Sequence, residues 1–451
     1  MISQIPHKLR RRWARYTKAL PFSDARWRYS RALRKTDPVQ GWKIHLSATQ
    51  LSASEIFSRV HPVLAKHGVL FKVPATLEML EELNSGIRQF SQVGKFLTVY
   101  PRSAAEATDL ARELDLVTRN LCGPEIPFDV RYRKNSLVYY RYGSFRRADD
   151  GSAEAGVIFD PSGKPHKDRR EFGHAIPRWF ASPFKRSPPR PNDLNVGGPL
   201  APGYLPFRAI MQRGKGGVYE AVDLSISPAR LVIIKEGRRN GETAWDGKDG
   251  YARIKHESRV LRMLGAAGIP VPQIFHEFSR DGNQYLVLEK IVGRPLLQQG
   301  VTGPKKVSWR RAQNILSQLS VLLSKVHKAG WVWRDCKPSH VFLHDGMMRI
   351  IDFEGACRIS ETEVLPWGSP NYSPPGYHKN FSRPAGQFED DYALGTIVFQ
   401  FATGQLPSPT KRTRARLYTR TGAPRFFRDN VERLLRLNRT NSAGTDVARR
   451  G

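Results

Sequence analysis

The chain has 451 residues and a formal net charge of +32, from 73 Lys and Arg against 41 Asp and Glu. This length exceeds one ordinary hydrophobic core and predicts at least two domains. No apolar run is long enough to cross a bilayer, and the basic start lacks the apolar region of a secretion signal. We therefore expect a cytoplasmic protein without a transmembrane segment.

The charge would attract any polyanion, but it does not choose among nucleic acid, nucleotide, acidic peptide and anionic lipid. An ordinary solvated basic surface explains it equally well. No helix-turn-helix, zinc-finger or RNA-binding aromatic motif is present, so a nucleic-acid partner is not expected. The cysteines Cys122, Cys336 and Cys357 are scattered, which excludes a disulfide framework and a paired-cysteine zinc site.

Strand-like and helix-like segments alternate over residues 41–145 and predict a small α+β domain. The strands are GWKIHLSA, VLFKV, GKFLTVYP and SLVYYRYGSF, and the helices are a segment from Ser52, TLEMLEEL and SAAEATDLARELDLVTR. Ser52 with Glu55 has the spacing of a capping box. Residues 1–40 form a basic N-terminal segment with interleaved aromatic residues, which we interpret as a cap on a domain, with an anionic partner as the alternative.

Residues 146–197 are rich in Pro, Gly and charged residues and predict a linker without regular structure. The next domain is expected over 198–440, before a polar tail at 441–451. It is strand-rich as far as Leu288 and helical from Ser308 onward, which predicts two lobes. The fold class is therefore α+β throughout.

Candidate phosphotransfer residues begin with the segment RGKGGVYEAVD. Its glycines Gly214, Gly216 and Gly217 would let backbone amides approach nucleotide phosphates, although a plain hairpin has the same composition. The strand LVIIK ends at Lys235, and the following helix offers Glu257 as its counter-charge. Taken singly, each residue is more often a surface charge.

The segment WRDCKPSHVFLHDGMMRIIDFEGA resembles the catalytic loop and metal-binding turn of the protein kinase family. The resemblance implies ATP and Mg²⁺ as cofactors. It also implies that Asp335 orients the substrate hydroxyl, that Lys337 steadies the transferring phosphate and that Asp352 holds the metal. Asp390, in EDDYALG, matches the aspartate that braces the catalytic loop.

Four positions depart from the kinase pattern. His340 stands where the family has a metal-binding asparagine, and since imidazole suits manganese better than magnesium, Mn²⁺ is an alternative ion. Trp333 replaces a histidine and is expected to cost a structural hydrogen bond. Glu354 removes a glycine hinge, and Gly376 replaces a glutamate. A degraded pseudokinase that serves as a basic scaffold therefore stays an alternative.

Cationic residues recur in the front strands. Alternation places Lys43 and His45 on one face of their strand, while Lys72 and Arg141 lie in other strands that look buried. One histidine among several cations suggests a phosphate site. The alternative is a half-buried strand with ordinary polar residues.

These front motifs resemble the amino-terminal half of class III lanthipeptide synthetases, whose first domain is similar to bacterial phosphothreonine lyases. The matching segments are GWKIHLS, FKV and GKFLTVYP, and the kinase follows where the family places it. The resemblance implies that Lys72 removes the α-proton of a phosphorylated residue and that His45 protonates the departing phosphate. Lys43 and Arg141 would bind phosphate, with Arg88 and Lys95 as weaker candidates.

The leading hypothesis is a peptide dehydratase that phosphorylates Ser or Thr of a precursor peptide and then eliminates phosphate. The residues after the predicted kinase are too few for the family's cyclase domain, so ring closure would need a separate cyclase. The alternative enzyme is a Ser/Thr protein kinase whose front domain only regulates it or recognises substrate.

Overall fold

The alternating front segments form one antiparallel sheet. The computed structural model describes residues 5–145, 156–185, 201, 203–298, 306–379 and 382–436. The sheet order is β1-β2-β4-β5-β3-β7-β6. The strands are β1 Phe22–Ser23, β2 Trp27–Tyr29, β3 Gln40–Leu46, β4 Leu70–Pro74, β5 Leu97–Tyr100, β6 Val130–Arg131 and β7 Val138–Ser144. The predicted α+β fold is confirmed, although the short strands β1, β2 and β6 were not predicted.

Helices cover the apolar face of this sheet. They are α1 Ile5–Lys18, α2 Ala53–His67, α3 Leu77–Ser85 and α4 Ala104–Val117. Trp13 of α1 is 2% exposed and packs against Phe57 and Phe96, at ring-centroid distances of 5.5 and 5.4 Å. Residues 5–40 therefore cap the front domain, as predicted, and they also add two strands to its sheet.

The start of α2 was predicted correctly, but the proposed capping box does not form. Ser52 makes no side-chain cap hydrogen bond. Its Oγ instead accepts from the Thr49 amide at 3.0 Å and donates to the Cys122 carbonyl at 3.1 Å. Ser52 thus links the loop before α2 to the loop that carries Cys122, because its hydroxyl bonds to these groups and not to the first turn of α2.

Part of the expected linker is ordered against the front sheet. A hairpin of β8 Val157–Phe159 and β9 Pro165–Lys167 lies in it, and Phe184 stacks on Tyr140 with ring centroids 3.8 Å apart. The prediction of no regular structure is wrong for the hairpin of β8 and β9. The residues after β9 up to 185 have no regular secondary structure, but aromatic contacts order them. The rest of the predicted linker, and the tail 441–451, lie outside the described residues, and the domain boundaries stay predictions.

A second sheet has the order β10-β11-β12-β14-β13. Its strands are β10 Tyr204–Arg213, β11 Gly216–Asp223, β12 Arg230–Gly237, β13 Ile274–Arg280 and β14 Asn283–Glu289. By internal packing the chain divides into two units, Ser3–Ala252 with Phe278–Tyr285, and Arg253–Glu277 with Leu286–Gly451. The glycine hairpin between β10 and β11 therefore belongs to the same unit as the front domain.

The second unit is mainly helical, as predicted. Its helices include most of α5 Gly250–Ala266, together with α6 Trp309–Lys328, α7 Phe388–Thr403, α8 Lys411–Thr419 and α9 Arg425–Leu434. Short strands lie between these helices. They are β15 Arg294–Pro295, β16 Trp331–Val332, β17 Val341–His344, β18 Met347–Ile350 and β19 Cys357–Arg358. None of the described helices combines the length and apolar character needed to cross a bilayer.

Candidate functional site

Strand register brings the cationic residues of the front domain onto one face of the sheet. Lys72 lies opposite Thr98, and Thr98 lies opposite His45 on the next strand. Lys43, two residues before His45, lies opposite Arg141. Directly paired residues project to the same side of a sheet, so the expected shared face is present.

Asp129 fixes the histidine of this face, and sequence reasoning missed it. Its Oδ2 lies 2.6 Å from His45 Nδ1, and its Oδ1 lies 3.2 Å from Lys95 Nζ. The Asp129 carboxylate is fully buried. Phe128, just before it, has φ +67°, which a bulky residue rarely adopts and which turns the chain so that Asp129 points inward. We term Lys43, His45, Lys72, Lys95 and Arg141 the cationic cluster.

Burial shapes the ionisation of this cluster. It lowers the pKa of His45 to about 3, although Asp129 opposes the shift. It lowers the pKa of Lys95 to about 8, again against Asp129 and aided by Arg141 and Arg170. Burial likewise holds the pKa of Lys43 well below its usual value. Without a ligand, His45 is therefore neutral at pH 7. Its Nδ1–H donates a hydrogen bond to the Asp129 carboxylate.

The residue that orients Arg141 comes from the expected linker. Arg141 Nη2 donates to Asp168 Oδ1 and, at 2.9 Å, to the Arg169 carbonyl. Asp168 is 5% exposed and also accepts from the Ser144 amide at 3.2 Å. Sequence reasoning missed this carboxylate because its segment had been interpreted as irregular.

The remaining front candidates differ from each other. The Lys72 ammonium lies 4.1 Å from the ring centroid of Trp27, within the range of a cation–π contact. Arg88 does not join the cluster, since it is 71% exposed on its side chain and pairs with Glu82 at 2.6 Å. Arg88 as a phosphate ligand is therefore corrected to an exposed ion pair.

The cationic cluster has more cationic than anionic partners. Arg170 also acts on Lys43 and Lys95. Asp129 pairs with Lys95, and Asp168 pairs with Arg141. A phosphomonoester is an anion at pH 7, so the sign of this imbalance suits a phosphate group.

In the second unit, Asp335 is held by its own loop and by the segment that follows the metal-binding turn. Its Oδ2 accepts from Lys337 Nζ at 2.8 Å, and its Oδ1 accepts from the Ser369 amide at 3.1 Å. Lys337 also donates to Ser369 Oγ at 3.1 Å. The two residues predicted to act on the hydroxyl and on the phosphate therefore lie side by side.

Asp335, His340 and Asp352 form a candidate metal site, with one ligand atom of each within 4.8 Å of the others. His340 Nε2 lies 3.3 Å from Asp352 Oδ2, while its Nδ1 lies 3.1 Å from the Asp335 carbonyl oxygen. This set of two carboxylates and one imidazole fits a divalent cation. Asp352 has φ +68°, so the chain changes direction at this residue, two positions after the end of β18.

Trp333 does not cost the hydrogen bond that sequence reasoning expected to be lost. Its indole Nε1 donates to the Asp352 carbonyl at 2.8 Å, and its ring stacks on Phe353 with centroids 5.4 Å apart. The expected loss was therefore wrong, because indole also carries an N–H donor.

Asp390 braces the catalytic loop, in the way its motif predicts. This fully buried carboxylate accepts from the amides of Trp333 and Arg334, at 2.8 and 2.7 Å, and its Oδ2 lies 2.9 Å from His327 Nε2. The loop that carries Asp335 is thus anchored to α7.

Arg334, next to Asp335, is surrounded by acceptors. Its guanidinium donates to Glu389 at 3.1 Å, to the Tyr377 hydroxyl at 2.8 Å, and to the carbonyls of Gly355 and Leu365. Its side chain is 5% exposed. The buried charge is therefore compensated within the second unit.

Glu257 and Glu354 secure the metal-binding turn. Glu257, fully buried in α5, accepts from the Phe353 amide at 3.1 Å. Glu354, in place of the hinge glycine, lies 3.7 Å from Arg253 of α5. Lys235 lies half-buried on β12 opposite Val218, and its pairing with Glu257 stays a prediction.

The glycine segment forms a tight hairpin. Arg213 pairs with Gly216, which leaves Gly214 and Lys215 as a two-residue turn. The Gly214 amide donates to the Ser85 carbonyl at 2.9 Å, so in this conformation it is not available to a phosphate. Gly216 and Gly217 lie at the start of β11. Binding of nucleotide phosphates by Gly214, Gly216 and Gly217 stays a prediction.

Comparison with known proteins finds two family models that match successive parts of the chain. Residues 5–194 match the family model described as RamC, N-terminal domain, and residues 210–441 match the protein kinase domain. A relative named "Probable SapB synthase" from Streptomyces coelicolor is 29% identical over 389 residues, covering 81% of this chain and 40% of the relative.

Further relatives match the kinase half alone. Serine/threonine-protein kinase PknA of Mycobacterium tuberculosis is 27% identical and covers 47% of this chain and 49% of its own. Serine/threonine-protein kinase D of Synechocystis is 29% identical and covers 45% and 41%. The chain thus spans less than half of the length of each of these relatives.

The two family matches confirm the resemblance to class III lanthipeptide synthetases, as a front domain of that kind followed by a kinase domain. The kinase model alone matches more than half of the chain. The chain therefore belongs to the protein kinase family and carries a RamC-type N-terminal domain in front of its kinase domain.

Proposed function

We propose that this protein is a bifunctional peptide dehydratase, which phosphorylates Ser or Thr of a precursor peptide with ATP and then eliminates the phosphate. The observation that carries the proposal is the cationic cluster around the His45–Asp129 pair, in the same chain as a kinase catalytic loop. The cluster has the charge to bind a phosphorylated side chain. The kinase loop has the groups to make one.

In the first reaction the substrate hydroxyl lies at the Asp335 carboxylate, which accepts its proton as the oxygen attacks the terminal phosphate of ATP. Lys337, 2.8 Å from that carboxylate, neutralises the transferring group. Asp352 and His340 would hold the divalent cation, which when bound supplies positive charge between the nucleotide phosphates. The products are ADP and the phosphopeptide.

In the second reaction the phosphate lies among Lys43, Lys95 and Arg141. Arg141 is oriented for this by Asp168. The Lys72 amine removes the α-proton, the electron pair forms the Cα=Cβ bond, and the Cβ–O bond breaks toward phosphate. His45 delivers a proton to the departing oxygen. The products are a dehydroamino acid and inorganic phosphate.

The low pKa of His45 belongs to the site without phosphate. A dianion at its Nε2 favours the imidazolium, while Asp129 already accepts from the Nδ1 side. Phosphate binding therefore charges the acid that the elimination needs. Joining the two reactions in one chain also raises the effective concentration of the phosphopeptide at the second site.

The test is incubation of the full chain with ATP, divalent cation and a Ser/Thr peptide, followed by mass spectrometry. The wild-type protein should yield a peptide lighter by one water per modified residue. Lys72→Ala should stop at the phosphopeptide, and Asp335→Asn should leave the peptide unmodified. Dehydrated product from Lys72→Ala would refute the lyase assignment.

The second candidate is a Ser/Thr protein kinase with a non-catalytic front domain. Two relatives that match only the kinase half favour it, since both are named serine/threonine-protein kinases and are matched without the front domain. In that case phosphopeptide is the end product for the wild-type protein, and His45→Ala leaves product identity unchanged. The same mass measurement separates the two.

A further inference from the structure

The tip of the glycine hairpin rests on the end of α3 in the front domain. The Gly214 amide donates to the Ser85 carbonyl, and a Cβ at position 214 would lie 1.7 Å from the Asn84 carbonyl oxygen. Gly214 is not in the left-handed region, so its backbone would accept another residue. The close approach of Asn84 is therefore what requires glycine here.

Further contacts surround this point within the same unit. Gln50 Nε2 donates to the Thr243 carbonyl, and the Trp245 indole donates to Glu81 at 3.1 Å. The Arg238 guanidinium lies 5.1 Å from the ring centroid of Phe90. The hairpin and the segment after β12 thus share a polar, hydrogen-bonded interface with the front domain.

The Asn84 side chain extends this interface to the cationic cluster. It is 1% exposed, its Nδ2 donates to the Ala48 carbonyl at 3.0 Å, and its Oδ1 accepts from the Gly94 amide at 3.1 Å. Gly94 immediately precedes Lys95, and Ala48 lies two residues after the end of β3, the strand that carries His45. The buried Asn84 side chain therefore fixes the end of α3. The hairpin tip contacts this end of α3, and the loop before Lys95 is hydrogen-bonded to the same side chain.

We propose that Asn84 is a positioning residue for both reactions, since it fixes the hairpin of the kinase domain and the Lys95 loop of the front domain to the same point. In kinases the glycine-rich hairpin covers the nucleotide phosphates, so its placement sets nucleotide affinity. The elimination arm of this inference rests on the proposed function. The nucleotide arm rests only on membership of the kinase family.

The experiment compares full-length wild type with Asn84→Ala. Binding of a fluorescent ATP analogue should weaken about tenfold, as expected for losing buried hydrogen bonds that hold the hairpin's support. The phosphorylation rate at saturating ATP should be retained, which a general loss of fold would not allow. With a synthetic phosphothreonine peptide, kcat/KM for elimination should also fall about tenfold.

Glu81→Gln is the matched control, because it lies on the same helix and keeps an acceptor for the Trp245 indole. Both readouts should stay at wild-type values in this variant. Nucleotide affinity within twofold of wild type in Asn84→Ala would overturn the proposal. Absence of elimination by the wild type would instead remove the proposed lyase reaction, while the nucleotide arm would still decide the placement of the hairpin.

Gly214→Ala provides a second measurement if Asn84→Ala does not fold. Its methyl group collides with the Asn84 carbonyl and should lift the hairpin, so hydrogen–deuterium exchange at residues 84–90 of the front domain should rise. Unchanged exchange there would contradict the proposal. Such a result would return Gly214 to the role of a nucleotide-loop glycine only.

Discussion

The cationic cluster and the kinase catalytic loop are assembled in opposite ways. The catalytic loop draws Asp335, Lys337 and His340 from one stretch of six residues, and local hydrogen bonds shape it. The cationic cluster draws its groups from four strands or their flanking loops, and only strand register brings them together. A site of the first kind can be recognised as a motif, whereas a site of the second kind depends on the whole sheet.

The two regions also differ in how their charges are balanced. Arg334 and Asp390 are compensated by partners within the second unit, so these two charges are balanced without a ligand. The cationic cluster carries more positive than negative groups, and burial depresses the pKa values of Lys43 and Lys95. The charges of the first region are paired with each other, whereas the second region has an excess of cationic groups.

Asp390→Ala should produce the largest effect. It leaves two buried amides and His327 without their acceptor, and we expect phosphorylation to fall about a thousandfold, since each lost buried partner costs about 1–3 kcal/mol. Phosphate transfer to a Ser/Thr peptide measures it, with Asp391→Ala as the neighbouring control. Elimination from a supplied phosphopeptide should persist. Its loss would show that the two regions are not independent.

Asp129→Asn should be the next largest. The amide cannot accept equally from His45 and Lys95, and we expect elimination to fall about a hundredfold, in the range of a general-acid contribution. The rate of dehydration of a phosphothreonine peptide measures it. Asp115→Asn is the control, because Asp115 is also a buried carboxylate of the same domain but bonds Ser136 and Arg133. Equal losses in both variants would reduce Asp129 to a structural role.

Lys95→Arg should change a pH profile. Lys95 binds phosphate only when protonated and has a pKa of about 8, so kcat/KM for elimination by the wild type should fall about tenfold for each pH unit above that value. Arginine keeps its charge, so the part of the decline that comes from Lys95 should be absent in the variant, and its rate should begin to fall at higher pH than that of the wild type. Rates measured from pH 6 to 10 test it. Superimposable profiles would exclude Lys95 as the titrating group.

His340→Asn should have the smallest effect. Replacing imidazole by an amide oxygen should lower the preference for Mn²⁺ over Mg²⁺ by about fivefold, because imidazole favours the softer ion. Electron paramagnetic resonance of bound Mn²⁺, titrated against Mg²⁺, provides the measurement without relying on turnover. His344→Asn, an exposed histidine on the following strand, is the control. An unchanged ratio would place His340 outside the metal shell.

Much of the fold could be predicted from the sequence, because alternation and helical periodicity are local signals. The strand carrying Lys43 and His45, and the helices α2 to α4, follow the predicted order. The kinase motif likewise identified Asp335, Asp352 and Asp390, since its spacing is short and fixed. These predictions needed no knowledge of distant contacts.

The missed residues depend on long-range placement. Asp129 follows a strained Phe128 in an irregular loop, and Asp168 lies in a segment whose Pro and Gly content suggested a linker. Gly214 was interpreted through nucleotide binding, although a carbonyl group from the front domain occupies the space beside it. Trp333 stands where the kinase family has a histidine, and this replacement predicts a lost hydrogen bond. The indole N–H of Trp333 makes a hydrogen bond of its own, to the Asp352 carbonyl. A buried carboxylate opposite two cations is visible only once strands are paired.

The acceptors around Arg334 have a consequence for control of the kinase. In many signalling kinases the arginine of this motif receives a phosphorylated residue, and that new ion pair orders the activation segment. Here the Arg334 guanidinium already donates to Glu389 and to the Tyr377 hydroxyl. It also donates to the carbonyls of Gly355 and Leu365. The compensation of the Arg334 charge therefore does not depend on a phosphorylated residue.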